Sequence, residues 1–206
     1  MQQEIGRVIP LAPEMAPSVA ATFSRAYYHD PLVRVLAPDE RKRDRRLRWW
    51  YERMARFSAK EGKVEAVVQD SVEGAALWLG PGKEKITLRT LARAGMLRAP
   101  LVFGVRPLAR TLKVMGPTEK LHFETVPDPH WYLLAIGVDP AHQGRGIAAA
   151  LIKHGLARVD ADGLSCYLDT HEDLLGFYQK FGFTVAGELP AHEGTRLFGM
   201  VRHARL

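Results

Sequence analysis

The sequence predicts a single α/β domain spanning residues 1–206. Its length gives one sizeable core and would leave two domains marginal. Its 47% hydrophobic and 25% charged residues are the balance of a globular chain. Short β-rich runs alternate with longer segments of helical apolar spacing, without an internal repeat. No window approaches 18 consecutive apolar residues, and "MQQEIGRVIPLAPEMAP" lacks the basic start and apolar run of a signal peptide. The expectation is a cytoplasmic protein with no membrane partner.

"IGRVIPL" (5–11) reads as the first strand, ended by Pro13. Helical spacing runs from Ala16 to Tyr28 and breaks at "HDPL", because a residue before proline is pushed out of the helical region. A second helix is expected from Asp39 to Glu61, with Asp39 and Glu40 at its start and Lys60 near its end, as the helix dipole favours. "KVEAVVQDSVEGAALWLGPG" reads as a hairpin turning at "QDSVEG" and closed by "GPG". Residues 84–121 read as two or three helices broken at Pro100, Pro107 and Pro117, with Leu, Met and Phe at packing positions.

The second half is sharper. "HWYLLAIGV" (130–138) has the length and residue types of a buried strand, and a five-residue connection leads to a helix with Ile147, Leu151, Gly155 and Val159 on one stripe. "LSCYLD" (164–169) is the next strand, then a helix ending near Lys180 to Gly182, a strand from Phe183, and a last strand "TRLFGMVR" (195–202).

The formal charge is +6, and "RKRDRRLR" (41–48) carries most of it, with six cations against one acid. This run is read as the solvated face of a helix whose other face carries Leu47, Trp50, Met54 and Phe57. No aromatic residues interleave it, as a nucleic-acid stacking surface would require. The single cysteine, Cys166, lies in a strand-like run and reads as a buried thiol. Histidines and cysteine show no zinc spacing, so no metal is expected, and there is no G-x-S-x-G elbow.

The loop after the 130–138 strand supports two readings. Gly144-Arg145-Gly146-Ile147-Ala148-Ala149 fits the dinucleotide fingerprint G-x-G-x-x-A, with Asp169 placed to take ribose hydroxyls. Against this, Asp139 to Gln143 separate the strand from the first glycine, and only 37 residues follow Asp169. The other reading starts at Gln143, as Q-x-x-G-x-A after "V-D-P". In either reading, consecutive amides at a helix start hold a phosphate.

With "LLGFYQKFGF", an aromatic-Tyr-x-x-x-Gly-Phe signature about 30 residues downstream, residues 130–187 resemble the GNAT superfamily of acetyl-CoA-dependent N-acetyltransferases. "WYLLAIGVDPAHQGRGI", "FYQKFGFTV" and "YYHDPL" near residue 30 are most similar to the puromycin N-acetyltransferase group of bacterial enzymes. The resemblance implies a central mixed, mostly antiparallel sheet flanked by helices, acetyl-CoA as cosubstrate, and acetylation of a primary amine on a small molecule. It implies no nucleic-acid partner, and a monomer or homodimer. The alternatives are an acetyltransferase for protein lysines or N-termini and a non-catalytic coenzyme A-binding module.

The resemblance also implies roles. The strand at Ile136, Gly137 and Val138 splays from its neighbour, and one of its amides bonds the thioester carbonyl. Gln143, Gly144, Arg145, Gly146, Ile147 and Ala148 hold the pyrophosphate. Tyr178 protonates the departing thiolate, being itself protonated at neutral pH. An amine is mostly protonated at pH 7 and needs a base; His130 leads, because the strand is expected to carry it toward the cleft, ahead of His122 and Glu124. Where many relatives have an Asn contacting the coenzyme arm this chain has His171, which either makes a similar bond or caps the helix.

Overall fold

The computed structural model describes residues 6–85, 87–189 and 196–204. Seven strands form one sheet: β1 (Val8–Pro10), β2 (Gly62–Val68), β3 (Val72–Leu79), β4 (Trp131–Val138), β5 (Cys166–His171), β6 (Thr184–Leu189) and β7 (Leu197–Arg202), in the order β1-β2-β3-β4-β5-β7-β6. Neighbours are antiparallel except β4 and β5, which are parallel. Eight α-helices complete the described chain: α1 (Ala16–Ala26), α2 (Pro31–Leu36), α3 (Glu40–Glu61), α4 (Leu88–Arg93), α5 (Ala99–Phe103), α6 (Val105–Thr125), α7 (Ile147–Ala161) and α8 (Leu175–Gln179). Ile5 and Thr195, expected to start the first and last strands, lie outside the described residues.

One face of the sheet buries α1 and α3. Val19, Ala20 and Phe23 of α1 and Leu47, Tyr51 and Ala55 of α3 pack on Val64, Ala66, Ala75 and Leu77. The apolar stripe of α3 is therefore rotated from the expected one: Leu47 and Phe57 are buried, whereas Trp50 and Met54 are only half-buried beside Tyr51 and Ala55. Within the basic run, Arg43 is buried and donates to the carbonyls of Ala37 and Pro38 at 2.8 and 3.1 Å, closing the end of α2. The other cations of the run remain at least partly exposed.

The opposite face buries α7 and α8. Ile147, Leu151, Gly155 and Val159 are all buried, as their spacing predicts. Gly155 is what lets α7 approach β3, since a Cβ there would lie 2.1 Å from Cζ2 of Trp78. Cys166, on β5, is fully buried, and burial pushes its thiol up to about 12.

Three local expectations are corrected. The β2–β3 turn is tighter than "QDSVEG", because Val72 and Glu73 already belong to β3. Asp30 caps a short helix after "HD", accepting from Val33 N–H at 3.1 Å, with Pro31 in its first turn. Of the three prolines, only Pro100 starts a helix, α5. Pro107 lies in the first turn of α6, where its missing N–H costs nothing, and α6 continues through Pro117. There Thr118 Oγ1 donates to the Met115 carbonyl at 2.6 Å, partnering a backbone group beside the proline.

Gly155→Ala should cost about 1–3 kcal/mol in denaturant unfolding, because the sheet and α7 must separate to admit the methyl group. Wild-type stability in this variant would show that Trp78 can move aside.

Candidate active site

β4 and β5 are joined at one end only. Trp131 pairs with Cys166 and Tyr132 with Tyr167, and no further pair follows among the described residues. Leu77 opposes Ala135 and Trp78 opposes Leu133, so Leu134 is an extra residue on β4. Such a bulge bends the strand that carries it, while pairing with β3 resumes beyond it. The two strands then diverge as a fork.

Unpaired backbone groups in the fork need partners. At Ile136 a single phenol supplies both: Tyr27 donates to the carbonyl at 2.6 Å and accepts from the N–H at 3.2 Å. The Val138 carbonyl accepts from Gln143 Nε2 at 3.3 Å. Because successive residues of a strand turn their backbone groups to opposite sides, Gly137 faces β3, where it opposes Ala75. Its contribution is the absence of a side chain, since a Cβ would meet Phe23 at 3.0 Å and Tyr27 at 3.2 Å.

Beyond the fork, Asp139 organises the loop. It accepts from Ala141 N–H at 3.0 Å and from Arg25 Nε at 2.7 Å. Burial alone would raise its carboxyl, but these bonds outweigh burial and hold it below the usual range. Gly144 and Gly146 take φ of +76° and +83°, a left-handed backbone that glycine adopts without strain. Nothing would meet a Cβ at Gly144 within 4 Å, and no side chain caps the first amides of α7. Residues 143–146 thus form an exposed cradle whose amides are free to bind an anion. Ile147 is buried beneath it and Ala148 half-buried, while Arg145 reaches back toward the Ala141 carbonyl at 3.4 Å.

Tyr178, on α8, is buried, and burial raises its phenol while a side-chain hydrogen bond with Thr170 acts in the opposite direction. The Tyr27 phenol is likewise raised by burial and then by its neighbours Tyr178 and Asp30. His171 ends β5 and caps nothing. Its Nε2 meets Asp30 Oδ2 at 2.9 Å, a bond that raises the imidazole above its ordinary value and ties the start of α2 to the end of β5.

His130 lies elsewhere. β4 pairs with β5 at its own beginning, so the strand carries His130 to the closed end of the fork, where it is 1% exposed. Its Nδ1 is 2.7 Å from the Asp128 carbonyl, which places a proton on that nitrogen and makes Nε2 the acceptor for His122 Nε2–H at 2.6 Å. His122 stacks on Tyr167 with ring centroids 4.0 Å apart, and burial followed by the nearness of His130 lowers it to about 3. Glu124 is exposed and paired with Lys120 at 3.7 Å. The three expected base candidates are thus outside the open part of the fork. The residues that do reach it, Tyr27, Asp30 and Asp169, were missed. "YYHDPL" contains the first two, and the sequence offers Asp169 only as a ribose ligand in the dinucleotide reading.

Neutral His122 has a stability consequence. Its folded pKa lies below the unfolded value near 6.5, so the stabilisation is complete above that value and is lost as pH falls toward 3. Unfolding free energy should fall by up to about 1.4 kcal/mol per pH unit through this window from this group alone. His122→Gln should flatten that slope in denaturant titrations at several pH values; an unchanged slope would refute the assignment.

Comparison with known proteins agrees with this geometry. Residues 116–183 match the model of the acetyltransferase (GNAT) family, a span that includes β4, the glycine cradle, α7, β5 and α8. An uncharacterized N-acetyltransferase of Schizosaccharomyces pombe is 26% identical over 171 residues, covering 80% of this chain and 68% of that protein. The 5-NmdU N-acetyltransferase of Pseudomonas phage PaMx11 is 37% identical over 76 residues, covering 36% of this chain and about half (54%) of the phage protein. Among solved structures, the histone acetyltransferase HPA2 and related acetyltransferase from Corynebacterium glutamicum superposes with a TM-score of 0.72 over 98% of both chains at 21% identity. The chain therefore has the GNAT fold, and its residues 116–183 are similar to the acetyltransferase (GNAT) family.

Proposed function

We propose that the protein transfers an acetyl group from acetyl-CoA to a primary amine of a small molecule. The observation that carries this reading is the fork itself. Tyr27 occupies both backbone groups of Ile136, and Tyr178 approaches from the other side closely enough to perturb it. The Tyr27 oxygen, 3.2 Å from Ile136 N, stands where a thioester oxygen would accept that amide.

The exposed cradle of Gln143 to Gly146, continued by the first amides of α7 at Ile147 and Ala148, suits the pyrophosphate of coenzyme A, with backbone amides as ligands and no side chain in the way at Gly144. Tyr178 is the proton donor to the departing thiolate. Burial keeps it protonated at any working pH and leaves it reluctant to give up its proton until a strong base, the thiolate, forms beside it. The Asp30–His171 bond spans α2 and β5 beside the fork, a restriction that favours a small acceptor over a lysine on a folded protein. The likeness to the puromycin N-acetyltransferase group makes puromycin and related amines the first acceptors to try.

Calorimetric titration with acetyl-CoA and, in parallel, NADH should show binding of the first alone. Binding of NADH alone would restore the dinucleotide reading. Tyr178→Phe should keep acetyl-CoA affinity while slowing transfer about 100-fold. Unchanged turnover would remove the tyrosine from the mechanism. Gly146→Asp should abolish measurable acetyl-CoA binding, because it puts a carboxylate and a strained left-handed residue where the phosphates approach; near-normal affinity would place the phosphates elsewhere.

A further inference from the structure

Asp169 stands on β5 two residues beyond the last pair with β4, at the point where the fork opens. It accepts from Tyr132 at 2.9 Å and from Tyr167 at 3.3 Å. Tyr167 can extend flat across the neighbouring strand because β7 presents Gly199 opposite Asp169; a Cβ at Gly199 would lie 2.1 Å from the Tyr167 oxygen. The titratable groups around the carboxylate are these two phenols, from β4 and β5, and His122 and Glu119 from α6, with His122 packed on both tyrosine rings and Glu119 acting on Tyr132. None of them is a cation at neutral pH, and no lysine, arginine or histidine among the described residues pairs with Asp169.

A mostly buried carboxylate without a counter-ion is costly, and two neutral phenols compensate only part of that cost. Burial accordingly raises Asp169 to about 6, with the two tyrosines acting against the rise. The next residue, Thr170, points to the opposite face, where it bonds Tyr178. Asp169 and Tyr178 therefore flank the fork at one level from the two faces of the sheet.

We infer that Asp169 is the docking carboxylate for the acceptor's ammonium group and the base that removes its proton, so that the acceptor is a small amine that arrives as a cation. This rests on the acetyl-transfer reading. The ammonium nitrogen gives one proton to Asp169 and its freed electron pair forms the C–N bond to the thioester carbon. The C–S bond then breaks with its pair on sulfur, which takes the Tyr178 proton. Of the three ammonium protons, one stays on the amide and two leave nitrogen; the second restores Tyr178, and the proton on Asp169 passes to solvent. Amine enters from one face and thiol leaves from the other.

Two measurements on the full chain test this. With puromycin, 2-phenylethylamine and methylamine as acceptors, Asp169→Asn should lower kcat/KM at least about 100-fold and abolish its acidic limb, while acetyl-CoA affinity stays within about twofold. In wild type labelled with carboxyl-¹³C aspartate, the resonance missing from Asp169→Asn should titrate near pH 6 and move to lower pH on adding methylammonium chloride. A variant that turns over any acceptor within about threefold of wild type, with the same pH profile, would overturn the inference. So would a resonance indifferent to methylammonium, which decides the matter if no acceptor in the panel reacts. Failure of wild type to bind acetyl-CoA would instead overturn the acetyl-transfer reading, and this base assignment with it.

Discussion

The rest of the structure depends on a pairing that stops. Parallel strands in the middle of a sheet ordinarily satisfy each other's backbone along their whole length, and here they do so for two residue pairs. The added residue at Leu134 turns β4 away from β5 while its other edge stays bonded to β3. A sheet that opens from within leaves polar backbone groups of β4 and β5 without each other as partners. Whatever fills that gap must be a slender polar chain or a side chain, and Tyr27 is the side chain that fills it.

The gap also brings together residues that the sheet would otherwise keep apart. A strand exposes alternate residues to opposite faces, so β5 delivers Asp169 to the side of α6 and Thr170 to the side of α8. Only where the sheet is open can a molecule touch both. At the closed end the same strands carry a buried cluster, His122, His130, Tyr132 and Tyr167, in which the two imidazoles share a hydrogen bond and His122 stacks on Tyr167. The charged carboxylate thus sits at the boundary between packed core and cleft, and its two phenol partners anchor it from the core side.

Much of this was legible in the sequence, and what was not follows a pattern. The β4–loop–α7 unit is local: a buried apolar run, glycines with a forced backbone, and a helical stripe at spacing four all declare themselves within 30 residues. The left-handed glycine loop at the start of α7 was therefore readable, and the stripe through Gly155 was placed correctly. Contacts across the fold were not readable. Nothing near His130 reveals that its strand pairs at that end, and nothing near Tyr27 reveals 109 residues of separation from Ile136. His171 was expected at a coenzyme or a helix end because its neighbours suggested both, whereas its partner Asp30 lies 141 residues away. The prolines misled for the opposite reason. Their local rule was sound, but Pro107 falls in a first turn and Pro117 in a helix supported by packing on β6 and β7, so neither breaks α6.

The burial of Cys166 has a consequence for a protein that would liberate a thiol at each turnover. The cysteine begins the strand that borders the fork, four residues before Thr170 and in the same buried cluster as Tyr178, where an accessible thiolate would exchange readily with coenzyme A disulfides. Fully enclosed and pushed up to about 12, it is neither accessible nor ionised. Enclosed in this way, the thiol is withheld from exchange with a coenzyme A disulfide, should one form nearby.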